Sequence, residues 1–328
     1  MDFTHNAVFQ VISVFHVPLF FLVSGFFFTS SIRLSTLNFL KKKSIQFVIP
    51  SLVWAIIFMA IDLIINVLQH KTFQFDTIRY HALYCEVIHC PNTDLLQLLK
   101  NLWFLTIGFF WFFRELFISF ILSFISLKII KNQLLAFLIT IIFLIILPFD
   151  FSQQLFLLPI FWFGIFLKKY YENIKRHANI IIFVSGIIFL LCILFWNGSY
   201  SVYFRPISYA PFNINIRAFP VACFHWLFAL DACLFWFVLF MKIYRNNLIF
   251  RALTYAGTYT MGIYIFQKFI LEILLNKLFD FPNVNIWVYN FVIMPLIAMI
   301  VGFVCIFIIK LFEKNKTLLL LLIGNVRK

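Results

Sequence analysis

The feature that most restricts this chain is the run Phe15 to Phe28, FHVPLFFLVSGFFF, which is apolar except for His16, Pro18 and the pair Ser24-Gly25. It is followed closely by LKKK at 40–43 and then by another apolar run, and this alternation recurs to the carboxyl end. A soluble fold buries one such run in its core. A succession of them, each near the roughly 20 residues that cross a bilayer as a helix, needs lipid as its solvent. Composition agrees: 64% of the residues are hydrophobic and only 12% are charged, against about 25% charged in a soluble domain. The net charge of +14 does not make a nucleic-acid-binding face, because the basic residues punctuate the apolar runs and act as topology determinants. Six cysteines with no CxxC pair and no zinc-type Cys/His spacing give no metal site.

The expected fold is all-α, a polytopic membrane helix bundle of about nine transmembrane helices, forming a single domain over 1–328 with a cytoplasmic tail at 314–328. Apolar runs place the spans at about 8–31, 44–69, 103–125, 134–150, 155–167, 180–196, 219–241, 261–279 and 286–309. The segments from 134 to 167 are short, so one tight helical hairpin is an alternative there. Orientation follows from Lys and Arg in alternate connections. Eighteen fall on one side, including Lys41 to Lys43, Lys168, Lys169 and Lys328, and five on the other: Lys71, Arg79, Lys100, Arg205 and Arg217. That bias puts the carboxyl end in the cytoplasm of a multi-pass protein of the cell (inner) membrane, and with nine spans the amino end lies outside. The outer face then carries the two longest polar loops, His70 to Lys100 and Asn197 to Pro220. In the first, Cys85 and Cys90 are either a short disulfide or two free thiols. Nothing basic precedes the first span and no cleavage site follows it, so no cleavable signal peptide is expected.

Ionisable groups inside a bilayer are costly, about 2.5 to 3.5 kcal/mol each at mid-helix on insertion scales, so each asks for a reason. His16, Asp62, Arg114, Glu115, His225, Asp231, Gln267, Lys268 and Glu272 are the polar side chains expected at depth. His16 is suited to take a proton from a sugar hydroxyl near neutral pH, and Pro18 disturbs backbone bonding in a way that suits a helix lining a polar cavity; the alternative is a histidine that packs and donates to a neighbouring helix. Arg114 and Glu115 are adjacent. Adjacent helical positions do not face one another, so they are expected to find partners on other helices or on a ligand rather than to neutralise each other. Lys268 and Glu272, at i,i+4, are expected to pair structurally. Lys41, Lys42 and Lys43 mark an inside loop or, in addition, attract the phosphates of an anionic donor.

Several pieces in order resemble the acyltransferase 3 family of membrane enzymes, which acylate cell-surface sugars and other acceptors. FHVPLFFLVSGFFF is similar to the family's FHMPLFFFLSG signature, FLKKKSIQFVIPSLVW to its basic stretch followed by Ile-Pro and an aromatic residue, WFFRELFISFIL to its WFL-(R/K)-x-L segment, and GTYTMGIYIFQKFILE to its late G-x-(S/T)-x-GIY-x-x-(H/Q) segment. LWFL at 102–105 competes for the third alignment. The resemblance covers about 15–272. It implies transfer of an acyl group, commonly acetyl from acetyl-CoA or another acyl-CoA, to a hydroxyl of a glycan acceptor, as in short members described as fucose 4-O-acetylase-like. His16 takes the place of the signature His, Ser24 and Gly25 that of its Ser-Gly, Arg114 and Glu115 that of the polar pair, and Gln267 stands where many members have His.

Ten helices make up the full family pattern, the first ending in a Gly-His implied to act in transfer. Only MDFTHNAVFQ precedes the signature here, with His5 eleven residues before His16. The expectation is therefore a truncated product or a displaced terminal histidine at His5. The implied catalytic residues are His16, His5 and Glu115. The implied acyl-donor and substrate residues are Arg114, Ser24, Gln267 and Lys41 to Lys43. The rival readings are a glycan-precursor transporter or flippase, and an inactive family member. Expected partners are the lipid bilayer, a glycan and acyl-CoA, with no metal and no nucleic acid.

Overall fold

The computed structural model describes residues 7–70, 111–146, 152–196, 207–209, 212–214, 219–274 and 285–324. Helices occupy the described parts of all the segments expected to span. They are α1 (Ala7–Phe28), α2 (Thr36–Lys43), α3 (Ile49–His70), α4 (Trp111–Ile129), α5 (Gln133–Ile146), α6 (Ser152–Lys169), α7 (Tyr171–Arg176), α8 (Ala178–Leu194), α9 (Phe219–Ile243), α10 (Leu248–Gly257), α11 (Thr260–Lys268), α12 (Ile286–Val288), α13 (Met294–Phe312) and α14 (Lys316–Ile323). A short hairpin, β1 (Ile207–Tyr209) against β2 (Phe212–Ile214), is antiparallel with Ser208 opposite Asn213, and it falls in the second long polar loop. Among the described residues, three helical stretches are by themselves long and apolar enough to cross a membrane: Val11–Arg33, Pro220–Ile243 and Ile286–Phe312.

Helix starts follow a local rule. Asn132, Asn247, Asn285 and Asn315 each accept with a side-chain oxygen from backbone N–H groups of the first turn that follows, at 2.9 to 3.2 Å. This satisfies donors that a helix leaves open. α2 and α3 are joined by a π-turn, Ser44–Val48, in which the Ile49 N–H bonds to the Ser44 oxygen. Pro50 explains the wider turn: it has no N–H, and its ring would crowd the carbonyl four residues back in an ordinary α-helix.

The chain divides into two compact units. The first comprises Met1–Ser35, Ile118–Thr258 and Leu274–Ile300, and the second Thr36–Phe117, Tyr259–Ile273 and Val301–Lys328. In the first, α1 and α6 meet backbone to backbone. A Cβ added to Gly25 would strike the Phe161 carbonyl, with its carbon at 2.8 Å, and one added to Gly164 would strike the Leu22 carbonyl and come within 2.8 Å of the Phe26 nitrogen. Small residues at such crossings are how helices in lipid gain van der Waals contact without a hydrophobic driving force. Around the crossing Phe21, Leu22, Phe161 and Trp162 are fully buried, and Phe28 lies 5.5 Å from Phe161 and 5.7 Å from Phe120 of α4. Polar side chains tie other helices: Gln154 donates to Ser119 at 2.6 Å, and the Ser126 and Thr140 hydroxyls lie 2.6 Å apart.

The glycine crossing sets a clear expectation. Gly25→Ala or Gly164→Ala drives a methyl group into backbone atoms that cannot rotate away, at a cost of at least the roughly 1 to 3 kcal/mol of ordinary overpacking. Thermal unfolding in detergent should show each variant strongly destabilised. Gly302→Ala, where nothing lies within 4 Å, should be neutral or slightly stabilising because alanine favours helix.

Candidate functional site

In the first unit, His16 lies on α1 and is exposed. Its Nδ1 is 3.0 Å from the Ile12 carbonyl oxygen. A carbonyl only accepts, so Nδ1 carries the hydrogen, which in the neutral ring leaves a lone pair on Nε2. The same i−4 bond forms at His177 to the Asn173 oxygen, so helix geometry alone supplies this tautomer. Ser24 is half-buried on α1. His225 is buried, its ring 5.2 Å from both Phe156 and Trp196, which makes it part of the aromatic packing. Asp231 is half-buried on α9, and its Oδ2 has no hydrogen-bond partner.

The second unit holds the other expected residues around one aromatic cluster. Phe47 of the π-turn is 6.0 Å from Phe113, which is 5.1 Å from Tyr264 of α11; Phe112 is 5.4 Å from the same ring. Arg114 and Glu115 follow Phe113 directly, Gln267 follows Tyr264 by one turn and is half-buried, and Lys43 sits with its Nζ 5.5 Å from the Phe47 ring. The α2–α3 kink, α4 and α11 thus bring Lys43, the Arg-Glu pair and Gln267 onto neighbouring elements.

One expectation is corrected. Arg114 and Glu115 do form a pair: Arg114 Nε donates to Glu115 Oε1 at 2.8 Å, and a terminal guanidinium nitrogen bonds to the same oxygen. The spacing argument concerned Cβ directions. The Arg stem is long enough to turn back across the 100° between adjacent positions, which a shorter cation could not do. Glu115 is almost fully buried, at 3% side-chain exposure, whereas Arg114 retains 32%. A buried carboxylate in an apolar cluster needs a charge partner, and Arg114 meets that need while keeping part of its fork accessible.

The three lysines separate. Lys41 and Lys42 are exposed, but Lys43 is buried and donates to Gln46 Oε1 at 3.2 Å. Burial, with the Lys42 charge adding to it, pushes the Lys43 amine down from its ordinary 10.5 to about 7. Sequence reasoning treated the run as one patch; its helical phase, which turns position 43 inward beside Phe39 and Phe47, was the signal that separates them. His5, Cys85 and Cys90 lie outside the described residues, as do the side chains of Asp62, Lys268 and Glu272. Among the described residues no group of three or more His, Cys, Asp or Glu side chains is placed to hold a metal ion.

Helices long and apolar enough to cross a membrane, several in one chain, define a polytopic membrane protein. Compared with known protein families, the chain matches the acyltransferase 3 family, described as an acyltransferase domain, over residues 2–311. The chain belongs to that family. No curated protein and no solved structure matches it.

The lysine result has a measurable consequence. Because Lys43 binds its proton more weakly folded than unfolded, the unfolded state holds more protons between about pH 7 and 10.5, and stability should rise with pH across that window. Lys43→Met, which keeps the apolar stem, should remove this rise and be the more stable protein at pH 7. Unfolding temperatures of both proteins across the window check it.

Proposed function

We propose that the protein is a membrane O-acyltransferase that moves an acetyl group from acetyl-CoA to a hydroxyl of a cell-surface or exported polysaccharide, or of its precursor. The observation that most supports the chemical step is the His16 ring, exposed on α1, with its Nδ1 3.0 Å from the Ile12 carbonyl oxygen. Its Nε2 takes the proton of the acceptor hydroxyl as that oxygen attacks the thioester carbonyl. The C–O bond forms, the C–S bond breaks, and the thiolate leaving group receives the proton. His5 is the other candidate for this role. Arg114 turns its accessible guanidinium edge to an anionic or carbonyl oxygen of the substrates, with Glu115 fixing its orientation. Gln267, on α11 of the second unit, offers a donor and an acceptor to a ligand there, and Ser24 supplies a further hydroxyl on the helix of His16. Lys41 and Lys42 are exposed and receive the coenzyme's phosphates. The accompanying topology is nine crossings of the cell membrane with the carboxyl end in the cytoplasm, which puts those lysines on the side where acetyl-CoA is made.

Membranes containing the protein should transfer labelled acetyl from acetyl-CoA to polysaccharide. His16→Ala should reduce that transfer by the roughly 10²- to 10⁴-fold expected for loss of a general base, with folded protein unchanged. Full transfer in His16→Ala together with loss in His5→Ala would move the base to His5, and full transfer in both would remove histidine from the mechanism.

A further inference from the structure

The family match ends at residue 311, yet the chain continues into α14, which is not a loose tail. Asn315 caps its start, accepting from Thr317 and Leu318 N–H groups at 3.0 and 3.2 Å, and Gly324 closes its end in the left-handed region at φ 68°, its N–H bonding to the Leu320 oxygen at 2.9 Å. Leu319 and Ile323 are buried. The helix is therefore specified at both ends and has an apolar face committed to the second unit.

It is seated on the π-turn that follows the lysine run. Pro50 has no N–H for the carbonyl four residues back, Gln46, or five back, Ile45, and the Ile49 N–H is spent on Ser44. Those two carbonyls are the ones that face Gly324: a Cβ there would lie 2.5 Å from the Gln46 oxygen and 2.7 Å from the Ile45 oxygen. Glycine is required twice over, by its positive φ and by this approach. One turn along α3, the buried Trp54 donates its indole N–H to the Leu322 oxygen at 2.9 Å, satisfying an end carbonyl that α14 cannot satisfy itself. Trp54 is in turn packed 5.2 Å from Phe266 and 5.9 Å from Phe269. From Gly324 the contact runs through Gln46, whose side chain accepts from Lys43.

We infer that α14 is a strap that fixes the α2–α3 kink and so presents Lys41 and Lys42 to the acyl donor, with Gly324 and Trp54 as positioning residues. This rests on the proposed receipt of coenzyme phosphates by those lysines. The strap touches no reacting atom, so its loss should weaken donor recognition without slowing the chemical step.

The test uses full-length protein with Gly324→Val and Trp54→Phe, the latter keeping an aromatic ring in place. The KM for acetyl-CoA should rise about tenfold in both while kcat stays within about twofold, and the dependence of KM on salt should flatten as phosphate contacts are lost. In parallel, amine labelling by a water-soluble acetylating reagent, read by mass spectrometry, should find Lys43 protected relative to Lys41 and Lys42 in the wild type and exposed in the variants. Unchanged Lys43 labelling in both variants would overturn the strap. Increased labelling with an unchanged KM and salt dependence would overturn its role in donor recognition. Absence of acetyl transfer by the wild type would instead overturn the activity on which the inference rests, and the labelling would still show whether α14 grips the kink.

Discussion

The contact on which the first unit depends is the approach of α1 and α6 at Gly25 and Gly164, close enough that neither position tolerates a Cβ. In lipid, helices gain nothing from excluding water, so intimate backbone contact and complementary ring packing must hold them. The crossing also sets the rotation of α1. His16 precedes Gly25 by nine residues, which is two and a half helical turns, so it lies on the opposite side of the helix. Committing the glycine face to α6 leaves the imidazole facing away from that contact, in agreement with its exposure. The run FHVPLFFLVSGFFF therefore divides into a packing face, carried by Leu22, Gly25 and Phe28, and an opposite face that carries His16.

In the second unit the organising constraint is a missing donor. Pro50 forces the widened turn after Lys43 and offers no N–H to the Ile45 and Gln46 carbonyls, which Gly324 at the end of α14 approaches. The helical phase turns Lys43 inward, where its amine is pushed to about 7, and leaves Lys41 and Lys42 outside. A run of three identical residues thus contains two environments. Glu115 and Arg114 show a related division, one carboxylate buried and its partner guanidinium partly accessible.

Much of the fold was legible because it follows from hydropathy. Among the described residues, the long apolar runs predict helices within a few residues of those found, and the unbroken length of α9 and α13 follows from having apolar residues on every face. Features set by single hydrogen bonds were harder to read. The Asn caps at 132, 247, 285 and 315 have a sequence signal, an Asn one to three residues ahead of an apolar run, that hydropathy windows average away. The Arg114–Glu115 pair was missed because Cβ spacing ignores side-chain length. The docking of Gly324 on Ile45 and Gln46 joins positions too far apart for any local pattern to reveal. For the candidate site, residue types were readable, but which lysine is buried and which carboxylate is paired depended on tertiary packing.

The claim that joins fold to chemistry is that α1 holds His16 as a neutral imidazole with its hydrogen on Nδ1 and a free lone pair on Nε2. Nitrogen-15 NMR of protein labelled in histidine, with His16→Gln used to assign the signal, measures this directly in bilayers at neutral pH. The account predicts a protonated, hydrogen-bonded Nδ1 and an unprotonated Nε2. A ring protonated on both nitrogens, or on Nε2 alone, would contradict it.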